Sequence, residues 1–112
     1  MALRILSMNK NQFRQGDILI EVDESIPKEA VKAEPEAGRV ILAKGEVTFH
    51  DHSITSDKAE AWKIDDQTVS VVVKQKAAVK HQEHAPIPLK RGIYKVTRQR
   101  EYSPEAIRNV QD

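Results

Sequence analysis

The sequence predicts a single mainly β domain over residues 1–112, a small barrel or jelly-roll-like sandwich with a short C-terminal helix. Three observations lead there. Apolar side chains alternate at period two in several short stretches, turn signals separate those stretches, and a chain of 112 residues is one domain's worth.

The first clear strand is Gly16 to Val22, where Ile18, Ile20 and Val22 share a face. Residues 27–38 are rich in Lys, Glu and Ala and carry Pro27 and Pro35; the stretch reads as an exposed loop, with a short helix over 28–33 as the alternative. Arg39 to Ala43 is a short β-branched strand ended by Lys44-Gly45. Glu46 to His52 alternates again, with Thr48, His50 and His52 on one face. Ala59 to Ile64 carries the only tryptophan, Trp62, and leads into a hairpin turn at Asp65-Asp66-Gln67. Val69, Val71 and Val73 form the return strand. Ala77 to His81 continues as another strand, and Pro86 and Pro88 confine the next segment to an edge or a loop. Ile93 to Arg100 is the last strand. Ser103-Pro104-Glu105 then starts the helix, with Ser as N-cap and Pro at the first position, and the helix ends near Val110.

Composition narrows the function classes. Eighteen Lys and Arg against 17 Asp and Glu leave a formal charge of +1, so no long-range field draws in nucleic acid. The absence of cysteine rules out disulfides, thiolate nucleophiles and Cys-based zinc sites. Met1 to Ser7 is too short and too quickly polar for a signal peptide, and no apolar run approaches the ~20 residues of a membrane helix. The expectation is a cytoplasmic protein that does not act at a membrane.

All four histidines fall in two clusters. His50-Asp51-His52 on a strand presents both imidazoles on one face, and neutral imidazole is the commonest biological ligand for zinc, nickel and iron. His81-Gln82-Glu83-His84 supplies two more imidazoles and a carboxylate. Candidate metal ligands are therefore His50, His52, His81, Glu83 and His84, with a divalent zinc, nickel or iron ion as cofactor. The blander reading is that a His-x-His at a strand end and a His before a Pro-rich loop only hydrogen-bond the backbone. A weaker possibility is general acid–base chemistry by one protonated and one neutral histidine. Tyr94, Arg98 and Arg100 share a face of the last strand and could hold a phosphate, a base or a protein partner. Such a face is more often a salt-bridged rim, and aromatics are only 4% of the chain, too few for a stacking platform.

Gly45-Glu46-Val47-Thr48-Phe49-His50-Asp51-His52 resembles the start of the first cupin motif, and Pro88-Leu89-Lys90-Arg91-Gly92 is similar to the Pro-x-Gly turn of the second. That resemblance implies a jelly roll with His50 and His52 as metal ligands. The first glutamate after His52 is Glu60, and Tyr94 stands near the place of the second-motif histidine, so His81, Glu83 or His84 would complete the set. A resemblance over nearly the whole chain is to a family of small uncharacterised bacterial proteins. It rests on the early Gly-Asp-Ile-Leu segment, on Gly45 to His52, on His81 to Ile87 and on Gly92 to Tyr102. It implies that both histidine clusters belong to one pattern.

The expected function is a His-lined pocket that binds a divalent metal or a small polar ligand. Were the protein an enzyme, metal-assisted hydrolysis or isomerisation is the class this residue set supports. The rival expectation is a non-catalytic protein-interaction or self-assembling accessory module, with a homo-oligomer as one form of it. The third is RNA or nucleotide binding through the Arg98/Arg100 strand.

Overall fold

The computed structural model describes residues 11–45 and 50–99. Ten strands fill them: β1 (Gln12–Gln15), β2 (Ile18–Asp23), β3 (Val31–Lys32), β4 (Arg39–Lys44), β5 (Asp51–Thr55), β6 (Ala59–Asp65), β7 (Thr68–Val73), β8 (Ala77–Val79), β9 (Ile87–Leu89) and β10 (Gly92–Arg98). The protein is mainly β, and no helix lies among the described residues. The C-terminal helix expected at 103–110 falls outside them. No described helix is long and apolar enough to cross a membrane.

Six strands form one antiparallel sheet in the order β1-β2-β10-β7-β6-β3. Two hairpins, β4–β5 and β8–β9, complete the fold, and an isolated bridge between Ser53 and Lys80 joins them. Its two backbone hydrogen bonds measure 3.0 and 2.8 Å. Among the described residues β1 and β3 remain the two edges of the large sheet. The sheet is open among the described residues, and neither the barrel nor the jelly-roll-like sandwich expected from the sequence is seen beyond the mainly β class.

The period-two pattern explains which face is covered. Ile18 and Ile20 of β2, Tyr94 and Val96 of β10, Val71 and Val73 of β7, and Ala59 and Ala61 of β6 are all buried. Val40 and Leu42 of β4, Ile54 of β5, and Ala77, Val79 and Leu89 of the second hairpin join the same core. Burying each large aliphatic side chain contributes roughly 1.5–3 kcal/mol. A one-residue slip would turn these residues to solvent, so the register is strongly specified. Val22 is the exception: it continues the alternation but lies at the exposed end of β2.

Three local readings change. Gly16-Asp17 is a two-residue hairpin turn, not the start of a strand; Gly16 has φ +59°, a backbone conformation that costs a Cβ-bearing residue. The strand before it, β1, has no apolar alternation to announce it. The 27–38 stretch holds a two-residue strand, β3, and no helix. The strand expected over 46–52 is seen from Asp51 and runs on to Thr55, residues 46–49 lying outside the described set. Pro88 behaves as expected, sitting exposed in the short two-stranded pair of β8 with β9.

Candidate functional site

The site is built on three neighbouring pieces of chain: the β1–β2 turn, the start of β5, and the β8–β9 loop. The Ser53–Lys80 bridge sets β5 beside the end of β8. One step further, the backbone N–H of Asp51 donates to Gln82 Oε1 at 2.9 Å, so the loop is tied to the backbone between His50 and His52. Gln15, only 2% exposed at the end of β1, closes the third side. Its Nε2 donates to Val79 O at 3.0 Å and to Ala85 O at 2.9 Å.

These ties bring both histidine clusters together. The ring centres of His52 and His81 are 4.4 Å apart, those of His81 and His84 4.6 Å, those of His50 and His81 5.7 Å, and those of His52 and His84 6.4 Å. His81 is thus the hub, adjoining the other three. Glu83 lies with them, its Oε2 3.5 Å from His50 Nδ1, and its backbone N–H donates to His81 Nδ1 at 3.0 Å. His84 packs over the turn glycine: a Cβ on Gly16 would come within 2.7 Å of His84 Nε2.

His52 differs from the rest. It is 1% exposed, and both its ring nitrogens are engaged. Because Gln15 Nε2 faces two carbonyls, its Oε1 must face the ring, so His52 Nδ1 donates to it at 2.8 Å. Nε2 lies 3.0 Å from Asp17 Oδ1. The other carboxylate oxygen of Asp17 accepts from Arg98 Nε at 3.0 Å, and Arg98 also donates to Lys44 O. Arg39 and Asp51 form a short ion pair beside the cluster, the two contacts measuring 2.6 and 2.8 Å.

The charges follow from these surroundings. Burial pushes the His52 pKa down, opposed by the Asp17 carboxylate and assisted by the neighbouring imidazoles. His81 is lowered too, by burial first and then by His84 and His50. Burial alone would raise Asp17, but hydrogen bonds and charge from Arg98 and His52 outweigh it and hold the carboxyl below its ordinary value.

The remaining candidates are placed as follows. Tyr94 is buried in the core with its hydroxyl donating to Lys90 O at 2.7 Å, and burial raises its pKa. Arg98 shares Tyr94's face, as the spacing predicts, yet that face turns inward and the guanidinium is spent on Asp17 and Lys44. Arg100 lies outside the described residues. A cavity of about 240 Å³ is lined by Leu42, Lys44, Gln67, Val69 and Arg98 among others, and by none of the four histidines. Sequence reasoning missed Gln15 and Asp17, and assigned Arg98 a different role. Only the Gly-Asp pair, a common turn dipeptide, hinted at the turn that carries Asp17.

In the His-x-His set implied by the cupin resemblance, both ring nitrogens of His52 are hydrogen-bonded, so His52 would have to release Gln15 or Asp17 to hold an ion. Among the described residues no three His, Asp or Glu side chains converge on one ion as they stand. A family model described as "Domain of unknown function (DUF8820)" matches residues 14–99. The chain belongs to the DUF8820 family. The span matched to DUF8820 includes Gln15, Asp17, all four histidines and Arg98, so the whole site lies inside the family's domain. No curated protein and no solved structure matches the chain.

What the DUF8820 site can do is set by which nitrogens are available. Among the described residues, His50 and His84 use no nitrogen on a buried partner, and His81 uses one only on a loop N–H. Two imidazoles bound to one tetrahedral zinc at about 2.0–2.1 Å have ring centres about 5 Å apart. The His81–His84 and His50–His81 separations bracket that figure.

Proposed function

We propose that this domain binds a divalent transition-metal ion through His50, His81 and His84, with Glu83 as the fourth ligand. The observation that carries the reading is the meeting of imidazoles from two segments about thirty residues apart, at spacings suited to co-ligation. His52 belongs to the surrounding support. It cannot ligate without giving up Gln15 or Asp17.

Convergence on one ion requires the rings of the loop to turn, and His81 must release the Glu83 N–H. That hydrogen bond sits on an exposed loop and is worth about 1 kcal/mol. Structural zinc sites return roughly 10 kcal/mol or more, so the rearrangement is affordable. With no cysteine in the chain, the donors are imidazole and carboxylate only. Such a set suits zinc, nickel or iron(II) rather than copper(I).

The test is calorimetric titration of the metal-stripped protein with zinc and with nickel. One ion per chain is expected. Replacing both His81 and His84 with alanine should weaken binding beyond the roughly 100-fold that outer-shell changes reach. In chelator the same double variant should unfold within about 0.5 kcal/mol of wild type, because the loop is largely exposed. Equal affinity in the two proteins would remove the metal reading.

A further inference from the structure

We propose that Gln15 is the positioning residue that makes two separate histidine segments into one site. Both of its N–H donors are committed across the loop, to Val79 O and Ala85 O, the carbonyls on either side of His81 to His84. Its carbonyl accepts from His52 Nδ1. One buried side chain therefore clamps the loop at both ends and holds a hydrogen on His52 Nδ1, while Asp17 Oδ1 faces Nε2.

The side-chain chemistry is demanding. Glutamate at this position could still accept from His52 but could not donate to the two carbonyls. Methionine matches the length and does neither. Asparagine is a methylene too short to span the same gap. Loss of the donors would also strand the buried Val79 carbonyl, which costs free energy when left without a partner.

The inference rests on the metal-binding reading for its functional consequence. The hydrogen bonds of Gln15 go to Val79 O, Ala85 O and His52; it acts by holding the loop that carries His81, Glu83 and His84 against β5. Outer-shell residues of this kind typically govern metal affinity by 10- to 100-fold. The same clamp fixes His52, whose ring packs 4.4 Å from that of His81.

The experiment combines zinc calorimetry with long-range 1H–15N NMR of the His52 ring, in wild type, Gln15→Met and Gln15→Glu. Wild-type His52 should carry hydrogen on Nδ1. Gln15→Glu should keep that signature yet bind zinc about tenfold more weakly or worse, and Gln15→Met should lose both. A bare Nδ1 in the wild type, or zinc affinity in Gln15→Met equal to wild type, would overturn the proposal. If either variant fails to fold, the wild-type NMR result decides it. If the wild type binds no zinc at all, the metal reading falls separately, and the His52 signature still decides whether Gln15 holds the site.

Discussion

Asp17 stands between a guanidinium and a buried imidazole, and its chemistry can be followed through pH. Its folded-state pKa lies below the ordinary aspartate value because the carboxylate form is held by Arg98 and His52 against the opposing effect of burial. A depressed carboxyl contributes stability that is fully present above the unfolded value of about 3.9 and is lost as pH falls through the folded one. Asp17→Asn should therefore be less stable than wild type at pH 7, with the gap closing below about pH 4. Denaturation midpoints at pH 7 and pH 3 check this; a gap that stays constant would contradict it. The side chain is 39% exposed, so the effect is moderated by solvent. Gly16 next to it is constrained in a different way. At φ +59°, Gly16→Ala should cost about 1–2 kcal/mol, and its Cβ should push His84 aside, visible as a shift of the His84 ring resonances.

Among the elements, the β8–β9 loop is mostly exposed and carries a cluster of titratable groups. His81 is lowered in the fold by burial and by His84 and His50. Neutral His81 is thus favoured above the unfolded histidine value of about 6.5, and its contribution to stability falls as pH drops below that value. Amide protection over residues 80–85 should decline between pH 7 and pH 5, more than in β7 or β10; equal decline throughout would speak against a local effect. The elements also show what is legible in a sequence. Val71 and Val73 in β7, and Tyr94 and Val96 in β10, are readable because one face is buried and period two follows directly. β1 is not readable, since of its two inward residues, Phe13 and Gln15, only Phe13 is apolar, and the burial of Gln15 depends on carbonyls 64 and 70 positions away. The strand expected over Ala77 to His81 stops at Val79, with Lys80 paired only through the isolated bridge to Ser53.

At the scale of the whole molecule, one core serves the large sheet and both hairpins. Unfolding should accordingly be a single transition, with Trp62 fluorescence and far-ultraviolet dichroism coinciding. Leu89→Ala, in the short β9, should cost about 2–5 kcal/mol and shift both signals together, because Leu89 is buried in that common core. The four histidines were legible as two pairs, and strand geometry suggested that His50 and His52 act together. The fold instead makes His81 the centre and withdraws His52 to a supporting place, an outcome decided by Gln15 and Asp17 and therefore by contacts with no local signature. The most direct measurement of the proposed metal centre is X-ray absorption at the zinc edge of the loaded protein. Three imidazoles and one oxygen donor at about 2.0–2.1 Å are expected. A shell of oxygen alone, or with a single imidazole, would contradict the site.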